Sequence, residues 1–211
     1  MNRIIIVALV AALACTSYGA YVIGNWESQT AEGWGKWDGG VVENPNFAYS
    51  SEIGVTRGNY SLEVTQDGWG QVLAIDLTAA QRQGFMENRY FVMDVSVQAS
   101  DNEFTEGWSQ VYEIVFNGDG GGWQTVISDT PISFYWWEGE IPMRTERLVF
   151  DYRDYRNSMN PDPSYLQIVI ALNTGGGAPD KMYIDNVMFA PEPATIAMLG
   201  IGALALLRKR S

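Results

Sequence analysis

Residues 89–97 read RYFVMDVSV. Phe91, Met93, Val95 and Val97 fall on one side of an extended chain. Tyr90, Asp94 and Ser96 fall on the other, with Val92 among them. Alternation of this length is the period of a β-strand with one face in a core. The stretch YLQIVIAL at 165–172 repeats it. Leu166, Ile168, Ile170 and Leu172 make an apolar stripe, while Tyr165, Gln167, Val169 and Ala171 make a mixed one. A mixed second stripe suits a face that is partly covered or that binds something.

Outward from these two segments, runs of the same kind recur near 21–26, 59–65, 70–77, 108–116, 123–128, 146–152 and 181–189. Clusters of Gly, Asn, Asp and Pro separate them, which is the pattern of an all-β chain. Only 76–86 interrupts it. There Asp76 or Thr78 can cap a short helix through Ala79, Ala80, Gln81, Arg82 and Gln83, with Gly84 ending it. No repeat or interdomain linker is visible in the 211 residues. The expectation is therefore all-β: a single two-sheet β-sandwich, a jelly roll, over residues 20–190 with one short helix.

Composition removes whole chemistries. The chain has no His, which excludes Ser-His-Asp and Cys-His triads and imidazole-ligated zinc. Its single Cys is Cys15, inside an N-terminal apolar run, so a chain without that run has no disulfide and no thiolate. Setting aside four terminal basic residues and Glu192 leaves 9 basic and 24 acidic side chains, a net charge of −15. Such a surface repels nucleic acid and anionic lipid and suits neutral ligands or metal cations.

Both termini read as addresses. Arg3 precedes the apolar stretch Ile4 to Ala14, and Ser17-Tyr18-Gly19 supplies small residues for a signal peptidase, so residues 1–19 are expected to be a signal peptide. At the other end Pro191-Glu192-Pro193 is followed by the uncharged run Ala194 to Leu207 and then Arg208-Lys209-Arg210. As a helix that run reaches about 21 Å against a hydrocarbon core of about 30 Å, which fits a transient inner-membrane segment. Basic residues at both ends stay cytoplasmic and place 20–190 across the membrane.

The tail PEPATIAMLGIGALALLRKRS, residues 191–211, resembles the PEP-CTERM sorting signal of Gram-negative bacteria. Three unlike elements coincide in the family's order: Pro191, Glu192 and Pro193, a Leu/Gly/Ala-rich helix, and the cluster Arg208, Lys209 and Arg210. The resemblance implies recognition by an exosortase, cleavage near the Pro-Glu-Pro, and delivery to the cell surface or extracellular polysaccharide matrix.

The body has a resemblance of its own. It is carried by Trp26-Glu27 near the start, by the strand Gly58-Asn59-Tyr60-Ser61-Leu62, and by the final Ile184-Asp185-Asn186-Val187. Together these resemble bacterial jelly-roll carbohydrate-binding modules. That family implies one structural Ca²⁺ between Glu27 and Asp185, supplemented by carbonyls around Asn59 or Ser61. Calcium takes six to eight hard oxygens, which carboxylates and carbonyls supply without His or Cys.

Eight Trp give the chain its remaining character. Trp26 and Trp34 are assigned to packing. Indole rings stack on the C–H faces of sugars, and amide side chains read hydroxyls. Trp69 with Gln71, Trp108 with Gln110 and Tyr112, and Trp123 with Gln124 each place an aromatic beside an amide, and Gln167 can join them. These eight residues are the candidate glycan-binding set, with neutral polysaccharide as the ligand class. A purely structural matrix protein is the alternative. A glycosidase is the remote one: Asp101 to Glu106 loosely resembles a jelly-roll glycosidase strand with its acid types exchanged, and no catalytic residue is assigned.

Overall fold

The computed structural model describes residues 19–38, 41–43, 47–65, 71–97, 108–135, 144–175 and 181–191, some strand positions by backbone alone. Two six-stranded antiparallel sheets face each other. Sheet A runs β10 (Arg144–Asp151), β7 (Tyr90–Val97), β12 (Lys181–Ala190), β5 (Ser61–Thr65) and β4 (Ala48–Ser50), with β1 (Tyr21–Gly24) also on β12. Sheet B runs β3 (Val41–Glu43), β2 (Trp34–Asp38), β6 (Gln71–Asp76), β11 (Leu166–Gly175), β8 (Trp108–Gly118) and β9 (Gly122–Tyr135). The sandwich is the expected one. Among the described residues no helix is long and apolar enough to cross a membrane. The two hydrophobic terminal helices expected from sequence lie outside the described residues.

Alternation fills the space between the sheets. Phe91, Met93, Val95 and Val97 on β7 meet Leu166, Ile168, Ile170 and Leu172 on β11 in one buried cluster. Trp26 and Trp34 are fully buried, as assigned. The Trp34 indole donates Nε1–H to the Ile23 carbonyl at 2.9 Å, so its polar atom is satisfied in the core.

Two helices close one end. Helix α1 (Ala79–Glu87) starts at Thr78 in a capping box: Thr78 Oγ1 accepts from the Gln81 amide, and Gln81 Oε1 accepts from the Thr78 amide. It outruns Gly84, where a Cβ would come within 2.6 Å of the Tyr21 ring. Glycine is there for close packing and does not end the helix. Phe85 then stacks on Tyr152 at 4.1 Å and meets Phe116 and Phe189 edge-on or tilted. Helix α2 (Arg153–Ser158) has no counterpart in the sequence reading. It is six residues long with one buried residue, Tyr155, too short to show a helical period. Strands β2, β3 and β4 were also not expected, because three to five residues among glycines carry no alternation.

Strand β12 is enclosed on both edges. β7 pairs with it on one side, while β5 at Lys181–Ile184 and β1 at Val187–Phe189 pair with it on the other. A bulge between Asp185 and Met188 holds Asn186 at φ 54°, a left-handed position Asn tolerates. The extra residue returns Val187 and Phe189 to the core and leaves Asp185 on the outer face.

Candidate functional site

The outer face of sheet B is built from the residues left over by core packing. Pairing registers set them in rows. One row is Asp76, Gln167, Asn117 and Trp123. The next is Ala74, Val169, Val115 and Thr125. Trp37 enters from β2. Trp34 faces the core, so the residue three further along an extended strand faces out.

Three strands separate β2 from β9, about 19 Å at ordinary strand spacing. Yet the Trp37 and Trp123 rings lie 5.5 Å apart, inclined by 50°. They can meet only if the sheet curls toward this face and both indoles lean inward. Beneath them Ala74, Val169 and Gln167 are 0%, 3% and 4% exposed although they point away from the core, while Trp123 itself is 51% exposed. Ile127 and Tyr165 add exposed apolar surface nearby in sequence. In the two rows Asp76 is the only charge.

Among the described residues, two polar atoms on this face lack a partner. Gln167 donates Nε2–H to Asp76 Oδ1 at 2.8 Å, and its buried Oε1 accepts nothing. The buried Nε1–H of Trp37 donates to nothing. A free donor and a free acceptor beside two indoles are what a hydroxyl-bearing ring requires of a surface.

The sequence-expected residues divide accordingly. Trp123 stands on this face. Gln167 is on it too, as floor beneath the rings rather than as exposed platform. Gln124 does not join: adjacent residues of a strand point to opposite faces, and its Nε2 turns back to the Gly121 carbonyl. Gln71 lies on β6, and Trp108, Gln110 and Tyr112 lie on β8, their side chains outside the described set. Trp69 lies outside it altogether. Sequence reasoning missed Trp37. The signal was present in Trp34-Gly35-Lys36-Trp37, whose spacing sends one indole in and the other out once the segment is known to be a strand.

Sheet A is different outside. The segment 51–60 lies across it, held by carboxylates. Asp185, fully buried, accepts from the amides of Thr56 (2.7 Å) and Arg57 (2.8 Å) at Oδ2 and from Asn186 (2.6 Å) at Oδ1. Asp94 opposite it takes the Thr56 hydroxyl and a two-pronged contact from Arg147 at 2.7 and 2.9 Å. Burial pushes Asp94 up, but hydrogen bonds from Arg147, Thr56 and Asn186 outweigh it and leave the carboxyl below its ordinary range. For Asp185 burial prevails over the donated N–H bonds and the carboxyl lies above that range. Glu27 accepts from the Asn59 amide (2.7 Å), the Asn59 side chain (2.9 Å) and the Tyr60 amide (3.1 Å), which hold it below its ordinary value.

These contacts bear on calcium. The carboxylate oxygens of Glu27 and Asp185 are met by N–H groups, which aim positive charge at the lone pairs an ion would need. A Cβ at Gly58 would sit 2.3 Å from Glu27 Oε1, so the backbone already fills the space against that carboxylate. Among the described residues no three acids, His or Cys gather into a metal-holding group. This arrangement does not fit an ion bound between Glu27 and Asp185.

The hairpin joining β8 to β9 turns at Asp119–Gly121. The Asp119 carboxylate accepts from Ser164 and Asn160, fastening the turn to the segment after α2.

Comparison with known proteins adds two findings. Residues 190–211 match the PEP-CTERM protein-sorting motif. Of the sorting residues, Pro191 is described, while Glu192, Pro193, Arg208, Lys209 and Arg210 are outside the described set. No curated protein sequence matches the chain. Among solved structures, a carbohydrate-binding module specific for non-crystalline cellulose, CBM28, is similar with a TM-score of 0.52 at 17% identity, covering 83% of this chain and 97% of that one. The C-terminal family 22 carbohydrate binding module of Clostridium thermocellum Xyn10B is similar with a TM-score of 0.50 at 13% identity, covering 84% and 96%. At such identities the likeness is one of fold, and the fold is the jelly roll of carbohydrate-binding modules.

Proposed function

We propose that the 20–190 domain is a non-catalytic module that binds a neutral polysaccharide on the outer face of sheet B. It does so outside the cell, at the surface or in the extracellular matrix of a Gram-negative bacterium. The sorting motif makes this an exported protein. Signal peptidase and an exosortase are the processing partners in this reading, and passage through the inner membrane is transient.

One observation carries the binding reading: the Trp37–Trp123 pair over Gln167. Solvent exposure of a whole indole face costs about 25 cal/mol for each Å² left in water. A domain that only packed would bury Trp123. Here the ring stays out, beside an acceptor and a donor with no partner. The two rows beneath the indoles carry one charge, Asp76, with Glu113 opposite Ile127 in the next row, and a face whose few charges are acidic suits an uncharged glycan and repels nucleic acid. The fold of the similar solved modules agrees with this use.

Affinity electrophoresis of residues 20–190 through gels carrying cellulose derivatives, xylan, mannan and mixed-linkage glucan tests it. Retardation by at least one polysaccharide that Trp123→Ala markedly reduces is the expected result. No retardation by any glycan of such a panel would leave the structural alternative.

A further inference from the structure

We infer that the outer face of sheet B carries a gated groove. Trp37 and Trp123 close over its floor, and when they part the oxygen of Gln167, oriented by Asp76, is the acceptor that a sugar hydroxyl meets. The roles of Gln167 and Asp76 rest on the glycan-binding reading above; the closure does not.

Register fixes what the two indoles span. Lys36 pairs with Leu73, so Trp37 lies one residue beyond, level with Val72 and with its β11 partner Ala171. Trp123 pairs with Asn117, which pairs with Gln167. Between residues 171 and 167 the outward position of β11 is Val169, and β11 is the middle strand of the five from β2 to β9. The line from one indole to the other therefore passes over Val169, both along the strands and across them. Val169 is buried although it lies outside the core cluster. Rings that start on opposite rims and stand 5.5 Å apart are in contact, with no room for a sugar between them.

Two features separate this closure from ordinary packing. It buries a donor and an acceptor without pairing them: Trp37 Nε1–H and Gln167 Oε1 have no partner among the described residues. Packing that merely completed a core would leave such groups paired or in water. Trp123 is also half exposed, and exposed side chains exchange rotamers quickly.

Asp76 decides which end of Gln167 waits beneath. Its Oδ1 accepts the Gln167 Nε2–H at 2.8 Å. A carboxylate has no hydrogen to give, so the amide nitrogen faces Asp76 and the oxygen is left for another donor. Opening then presents an acceptor at Gln167 and a donor at Trp37, the two complements of a hydroxyl group. Asp76 is in this sense a positioning residue.

The closure is tested by burying a thiol beneath it. Val169→Cys is made in the full chain with Cys15→Ser, which leaves a single thiol. Its modification by methyl methanethiosulfonate, a small neutral reagent, is followed by mass. Adding Trp123→Ala or Trp37→Ala is expected to speed modification about tenfold or more, since either change opens the roof from one rim. With both indoles present the slow rate should stay within about twofold in urea below the unfolding transition, as for a local opening. Equal rates with and without the indoles would mean that they close nothing. A slow rate that climbs with urea in step with unfolding would mean fixed packing. Either result overturns the gate. Circular dichroism checks that each variant is folded, and Ala74→Cys, at the residue paired with Val169, serves if Val169→Cys is not.

Asp76 is tested by affinity electrophoresis on whichever polysaccharide retards the native chain most. Asp76→Asn lets the Gln167 amide turn over and should weaken binding about fivefold, with Tm unchanged. Asp76→Glu can still only accept and should stay within about twofold of the native chain. Native affinity in Asp76→Asn, or equal losses in both variants, overturns the positioning role. If no polysaccharide retards the native chain, the binding reading fails and the acceptor role falls with it, while the thiol rates still decide the gate.

Discussion

The two outer faces of this sandwich come from the same alternation and end in opposite states. On sheet A the outward residues Asp94 and Asp185 are buried against segment 51–60 and met by main-chain amides, the Thr56 hydroxyl and Arg147, and the buried Ser96 hydroxyl pairs with that of Thr145. On sheet B Trp123 remains half exposed, and two buried polar atoms stay without partners. On the first face the buried carboxylates are met internally, and although Asn186 Oδ1 has no partner among the described residues, a loop already covers that face. The second face leaves donor, acceptor and ring surface for something from outside. An unsatisfied buried polar group costs about 1–3 kcal/mol. A fold keeps such groups at little loss where a ligand supplies the missing partners.

Substitutions should separate the faces by what they disturb. The largest effect is expected from Asp185→Ala. It strips the acceptor from the amides of Thr56, Arg57 and Asn186, a loss of about 3 kcal/mol. For a domain of this size that lowers Tm by about 6–12 °C, with glycan retardation intact well below the transition. An unchanged Tm would remove the distinction between the two faces. Next comes Trp123→Ala, expected to weaken glycan affinity about tenfold, which corresponds to about 1.4 kcal/mol, while Tm in differential scanning stays within about 2 °C. A large Tm loss without any binding change would make sheet B a structural face as well.

The acid limb of stability sharpens the comparison within sheet A. Asp94 sits below its ordinary value, so its contribution is full above the unfolded value of about 3.9 and disappears as pH falls through the lower folded value. Asp185 sits above it, so the sign reverses: its contribution is full below about 3.9 and is lost as pH rises through the folded value. The stability gap between the native chain and Asp185→Asn should therefore widen as pH is lowered from neutral toward about 4. Denaturant unfolding at a series of pH values measures it, and a gap that narrows would contradict the burial of a charged Asp185. The smallest effect is expected from chelation. Because the N–H groups of segment 56–60 already hold Glu27 and Asp185, EDTA and millimolar Ca²⁺ should give Tm values within about 1 °C of each other. A rise of several degrees with Ca²⁺ would show an ion displacing those amides.

The fold was legible wherever a strand was long enough to alternate. RYFVMDVSV and YLQIVIAL became β7 and most of β11, with the expected residues inward. Strands of three to five residues were not legible, because alternation needs more length than they have, and α2 failed for the same reason. The open face was legible in part. Pairing an aromatic with an adjacent amide picked out Trp123, which stands on that face, and also Gln124, which strand geometry sends to the other one. Trp37 was passed over because nothing local marked its segment as part of sheet B. Glu27 and Asp185 were singled out by sequence as ligands of a structural Ca²⁺, and in the structure their carboxylates accept from main-chain amides of segment 56–60. What they fasten is an amide-lined loop.

Local sequence alone determined the sorting tail, the absence of imidazole and of any thiol beyond Cys15, and the two-sheet plan, since each rests on residue type or on a short-range period. The tertiary structure decided which outer face would be sealed and which left open, and that Trp37 and Trp123 would meet across three intervening strands. Those outcomes depend on how far a sheet curls and on where a distant loop lands, and neither is encoded in the spacing of neighbouring residues.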